Sequence, residues 1–188
     1  MSNLTKQIQF EEHLKQSSSG FFDETIENAA ISGLKAKNVA FRGCKIKNCT
    51  FSQCDFAGTA FDKSVFINCK FLKCNFVSGS FNWENYAGTD FTGCDFNGAE
   101  LYESDFRDAN FQNVIFDWAK IIDSDLRNAI LENASLRGTG FIRNKIFNTQ
   151  RFSFTNVEFK KFENSDFSEK GDGTEIVVEN EFLQRLSN

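Results

Sequence analysis

Six cysteines, a single histidine (His13) and a scatter of carboxylates are the side chains of this 188-residue chain best suited to hold a metal or break a bond. The cysteines stand at positions 44, 49, 54, 69, 74 and 94, so their separations are all multiples of five. Zinc ribbons need Cys pairs closer together, with a second pair or histidines, and that spacing is absent. A serine or cysteine nucleophile would have to borrow His13 as its base, and nothing in the flanking sequence orients that ring. The glycines form no phosphate-binding loop of the P-loop or dinucleotide kind. The expectation is a protein that is not an enzyme, with no metal and no cofactor. A spacing of five points instead to architecture.

The same period runs through the apolar residues. From Phe21 to Ile146 an apolar side chain returns at every fifth position, 26 times without a break, and Ala36 is the only small one. One extra residue near Asn148–Arg151 shifts the frame, which resumes at Phe152, Val157, Phe162 and Phe167. Neither a helix nor a flat strand keeps a period of five on one face. Two residues before each central position stands a small side chain almost throughout, all six cysteines among them. Two residues after it, 18 of the 26 positions are Gly, Asn or Asp, the types that best tolerate tight-turn dihedrals. One large and one small inward residue, then a turn, describe a short bridge repeated around a closed coil. The 24 Phe and the absence of Pro fit a repetitive core whose backbone N–H groups are committed to hydrogen bonds.

The segments CDFAGTAF, CNFVSGSF, TDFTGCDFNGAEL, ESDFRDANF and NAILENASLRGTGF closely resemble the A-(D/N)-L-x-x unit of pentapeptide-repeat proteins, over about residues 21–167. The resemblance implies an all-β fold, a right-handed quadrilateral parallel β-helix in which four pentapeptides make one square coil. Thirty units then make seven and a half coils, a rod about 36 Å long at roughly 4.8 Å per coil. Cys54, Cys74 and Cys94 become vertical neighbours, buried as small hydrophobes. Residues 1–20 break the repeat and read as an N-terminal cap, with Leu4, Ile8 and Leu14 on one face of a short helix. Residues 168–188 read as a loop and an amphipathic helix carrying Val178, Phe182 and Leu186, either a cap or a homodimer contact.

Function must then lie on the outer surface. The net charge of −5 argues against direct nucleic-acid binding, and no run approaches the roughly 18 apolar residues of a membrane span. The first twenty residues lack the order of a signal peptide, and six cysteines fit the reducing cytoplasm. Eight basic side chains lie in residues 35–73, and eleven acidic ones in residues 74–133. Glu103, Asp105, Asp123 and Asp125 fall at one corner of successive coils, open to three readings: a solvated edge, a cation site, or a docking face for a basic partner. Both tryptophans, Trp83 and Trp118, replace turn residues, and Glu84 is a rare acid in the small inward column; the alternatives are interface anchors or a widened corner. Trp83-Glu84-Asn85 and Phe116-Asp117-Trp118 are similar to short stretches of Qnr-like proteins. Those proteins and their MfpA-like relatives mimic B-DNA, bind DNA gyrase and protect it from quinolones. The resemblance implies a protein partner such as gyrase. Qnr loop insertions are absent from residues 21–146, and the basic half departs from a DNA mimic, so a scaffold or effector with a partner unrelated to DNA stands as the alternative.

Overall fold

The computed structural model describes residues 3–16, 20–61, 63–147, 150–163, 165–166, 176–177 and 184. Each pentapeptide lays down one side of a square. The short strands pair in parallel with the strand twenty residues on, Phe21 with Phe41, Ile26 with Ile46, and Ile31 with Phe51. Four walls result, called faces one to four in the order Phe21, Ile26, Ile31 and Ala36. Every turn residue from Asp23 to Arg143 has a positive φ between 50° and 70°. That left-handed step rotates the chain from one wall to the next and explains the Gly and Asn bias.

The core is a set of aromatic columns. Along face three, Phe71, Phe91 and Phe111 stack nearly parallel, with centroids 5.5 and 5.2 Å apart. Rings on adjacent walls meet edge to face, as with Phe76 and Phe81 at 5.0 Å and 86°. Both arrangements suit the ring quadrupole. All six cysteines are free and buried in the small column. Five of the thiols and most of the hydroxyls that share the column donate to the carbonyl of a central residue in the coil below, whereas Cys44 donates to Arg42 in its own coil at 3.7 Å. Cys94 donates to Phe71 at 3.0 Å, Thr59 to Ala36 at 2.8 Å, and Ser104 to Phe81 at 2.7 Å. Small polar residues are therefore as acceptable there as Ala. Among the described residues Thr89 Oγ1 is the one buried side-chain polar atom with no hydrogen-bond partner.

The ends depart from the sequence reading. A helix does cover the first coil, from Asn3 to Gln16. Its apolar contact is Phe10, 7% exposed and packed on Phe21, with Leu14 beside it, whereas Ile8 is 44% exposed. Phe10 and Leu14 are one helical turn apart, and that pair, not Ile8, faces the open coil. At the other end the extra residue is absorbed gradually. Ile130 still pairs with Gln150, but Glu132 already pairs with Ser153, and register shifts continue to Gly140. Ile176–Val177 is a strand antiparallel to Ser165–Asp166, not the start of a helix. It satisfies an otherwise open edge. Val178, Phe182 and Leu186 lie outside the described residues.

Candidate functional site

The turn residues of four edges can be compared coil by coil. Between faces two and three they are Asn28, Asn48, Asn68, Gly88, Asp108 and Asn128, all types that accept positive φ cheaply. Between faces one and two the edge carries Lys63, Trp83, Glu103, Asp123 and Arg143 in five successive coils, with φ of 54°, 60°, 51°, 54° and 50°. A left-handed conformation costs an ordinary L-residue about 1–2 kcal/mol. Asp123 aside, this edge therefore holds large side chains outward against the local preference of the backbone. The sequence reading named Trp83, Glu103 and Asp123 but missed Lys63 and Arg143. Stacking every twentieth turn residue would have found both.

The column beneath this edge is polar. The backbone N–H of Cys44 donates to Ser64 Oγ at 3.0 Å, that of Glu84 to Ser104 Oγ at 3.2 Å, and that of Ser104 to Ser124 Oγ at 3.2 Å. Asn144 Oδ1 continues the series by accepting from Ser124 N–H at 3.0 Å. Glu84 is too large for the inward space; it is half-buried and turns toward an open groove lined by Arg42, Lys63, Asn82 and Trp83. Asn82 fixes that groove with both ends of its amide, donating to Ser80 Oγ at 2.9 Å and accepting from Tyr102 N–H at 2.9 Å.

The four carboxylates expected together do share a depression, but it is not a bare acidic corner. Arg107, Arg127 and Lys145 line it with them. Asp105 is held by Arg107 through Nε at 2.9 Å and Nη2 at 2.6 Å, and Asp125 by Arg127 at the same two distances. Burial alone would raise the Asp105 carboxyl, but hydrogen bonds from Arg107 outweigh it and hold the group below its usual range. Asp123 is clasped by Arg143 at 2.7 and 2.5 Å, and Arg143 reaches on to Glu163 at 3.1 Å. The arginines stand two residues after the first two aspartates and twenty after the third, so the repeat itself delivers them. Among the described residues no group of three or more acids, cysteines or histidines is placed to hold a metal ion. Lys63 and Glu103 make no side-chain ion pair or hydrogen bond there, and Trp83 between them is 65% exposed.

Trp118 is elsewhere. It lies on the edge between faces four and one, 54% exposed, with its ring against Gly138 of the next coil. The preceding Asp117 is buried, accepts a hydrogen bond from Ser135 Oγ, and pairs with Arg137 at 3.2 Å. Face one separates the tryptophans and presents Tyr102 and Ile122 beside the Lys120–Glu100 pair at 2.9 Å. His13, at the N-terminal cap, stacks on Phe21 at 4.3 Å and lies 2.9 Å from the Gly20 carbonyl oxygen.

A closed parallel β-solenoid with a filled interior and a patterned wall defines a class of protein that presents surface, not a cavity. Two sequence models, the pentapeptide repeat region (residues 64–141) and pentapeptide repeats in eight copies (residues 44–82), match the chain, and it belongs to the pentapeptide-repeat family. Among solved structures it is similar to QnrB1, described as a plasmid-mediated fluoroquinolone resistance protein. The TM-score is 0.57 at 13% identity, over 89% of this chain and 92% of that one. It is also similar to a pentapeptide repeat protein, Rfr23, from the cyanobacterium Cyanothece, with a TM-score of 0.46 at 12% identity over 88% of this chain and 99% of that one. No curated protein matches the sequence. No helix among the described residues is long and apolar enough to cross a membrane.

Proposed function

We propose that this chain is a non-catalytic docking protein that binds a protein partner along face one and the Trp83 edge. Trp83 is the anchor, Lys63, Glu84 and Glu103 lie around it, and Trp118 bounds the far side. One observation carries the reading: an exposed indole kept on strained backbone between Lys63 and Glu103, two charges with no ion pair among the described residues. Large aromatics of this kind dominate protein interfaces once water is excluded around them. Asp105, Asp123 and Asp125 act in this reading as half of an arginine-paired lattice rather than as contacts. The buried free thiols fit a reducing cytoplasm.

DNA gyrase is the partner to test first, on the family resemblance and the likeness to QnrB1. A specific observation favours the other reading, a partner unrelated to DNA. A duplex mimic needs carboxylates along a whole side, whereas no outward column of described residues carries them in more than two successive coils, as at Glu103–Asp123 and Asp105–Asp125. Binding of purified gyrase, in competition with DNA, decides between them. The gyrase reading predicts micromolar binding that Trp83→Ala weakens at least tenfold with the β spectrum unchanged. No binding by correctly folded protein at micromolar concentration eliminates gyrase; equal binding by Trp83→Ala eliminates the edge.

A further inference from the structure

The Trp83 edge is its own complement when turned end for end. Read from the first coil, its turn residues are Asp23, Gly43, Lys63, Trp83, Glu103, Asp123 and Arg143. Two of the three pairs of coils equidistant from Trp83 carry opposite charges, Asp23 with Arg143 and Lys63 with Glu103, and the third sets Gly43 against Asp123. In the next column, the first outward position of face two, Lys45 answers Asp125, while Thr25 faces Lys145 and Val65 faces Asp105. No pair in these two columns brings like charges together.

We propose that this edge is the contact between two antiparallel copies of the chain, related by a two-fold axis passing beside Trp83. In that arrangement the two indoles meet at the axis. Lys63 of each copy reaches the carboxylate of Glu103 on the other. A two-fold contact requires self-complementary surfaces of this sort. Parallel side-by-side pairing is disfavoured by the same residues, because it sets Lys63 against Lys63 and Glu103 against Glu103. Lys63 and Glu103 have no ion pair among the described residues, and the pairing gives each one; Asp123 and Arg143, farther along the edge, already hold each other.

The size of the contact sets its strength. Seven turn residues span six coil steps, about 29 Å at roughly 4.8 Å each. A strip about 10 Å wide then covers about 300 Å² of each copy, well below the roughly 800 Å² per partner of a standard stable interface. The dimer is therefore weak, dependent on concentration, and weakened by salt, since its charges lie at an exposed rim. The inference goes beyond partner docking and does not depend on which partner binds. Because the dimer covers Trp83, a partner that uses that ring competes with the second copy.

The experiment uses the intact chain alone. Sedimentation velocity and small-angle scattering, from low to several hundred micromolar and at low and high salt, are expected to show a monomer passing into a dimer. That dimer is about as long as the monomer and thicker. Lys63→Glu and Glu103→Lys each raise the dissociation constant by about tenfold, and the double exchange restores it because each new Glu faces a new Lys. Trp83→Cys forms a disulfide-linked dimer on mild oxidation, whereas Ser78→Cys, an exposed turn residue on another edge, does not. A monomer at every concentration, a dimer elongated end to end, a double exchange that fails to restore association, or equal cross-linking at both positions would overturn the proposal. None of these results bears on whether gyrase or another protein docks.

Discussion

Trp118 and Gly138 occupy successive coils of one edge, and the ring of the first fills the space where a side chain on the second would stand. A Cβ built on Gly138 falls 2.5 Å from Trp118 Cε3, at a φ of +68°. Gly88 has the same φ of +68° but open space around it, so it isolates the backbone cost from the steric one. Gly88→Ala should cost about 1 kcal/mol, and Gly138→Ala about 2 kcal/mol or more. Denaturant titration checks both; in a Trp118→Ala background the Gly138→Ala loss should shrink to the Gly88 value. Equal losses in both backgrounds would mean that the indole does not rest on the glycine. The outward placement of the tryptophans was legible in the sequence, because both interrupt the Gly/Asn turn column. The neutralisation of Asp105, Asp123 and Asp125 was not. Net charge counts residues, whereas pairing depends on which side chains the coil returns to the same wall.

At the scale of the element, the period of five specified the walls and both inward columns because each pentapeptide solves the same packing problem. The cap helix was harder to read. It is not part of the repeat, and its single turn of contact offers Phe10 and Ile8 as equally apolar candidates. The thiol column carries a consequence for pH. At Cys74 a hydrogen bond from Cys54 pulls the pKa down, but the Cys94 thiol and burial push harder, and the net value is about 12 against an ordinary 9.0. Burial leads the upward shift at Cys44. In Cys54 and Cys69 the neighbouring thiol leads it, at Cys74 and Cys49 respectively, with burial second. A group with a raised folded pKa contributes its stability fully below the unfolded value, and that contribution fades as pH rises toward the folded one. Stability should therefore decline between about pH 9 and pH 12, because the unfolded chain releases protons that the folded chain keeps. Substituting Cys74 by Ala should flatten part of that decline, measured by urea unfolding across the range. A profile unchanged by the substitution would place the alkaline sensitivity elsewhere.

The whole molecule is a rod whose interior is committed to aromatic stacking, so anything it does beyond standing up it does with its walls. Much of the wall is self-satisfied. Even the basic half pairs Lys37 with Asp55 at 3.2 Å and Lys47 with Glu27 at 3.0 Å. On the edge between faces one and two, Lys63, Trp83, Glu103 and Arg143 stand at left-handed turns, and the exposed Trp83 ring lies between Lys63 and Glu103. The central claim is that Trp83 is kept for contact with another molecule and at some cost to the fold. The most direct test compares the unfolding free energy of Trp83→Gly with that of the unaltered chain, using dilute monomeric protein. Relief of the left-handed strain exceeds the entropy cost of glycine, so the variant should gain about 0.5 to 1 kcal/mol. A loss of more than about 1 kcal/mol would show that the indole holds the coil together, and would contradict the account.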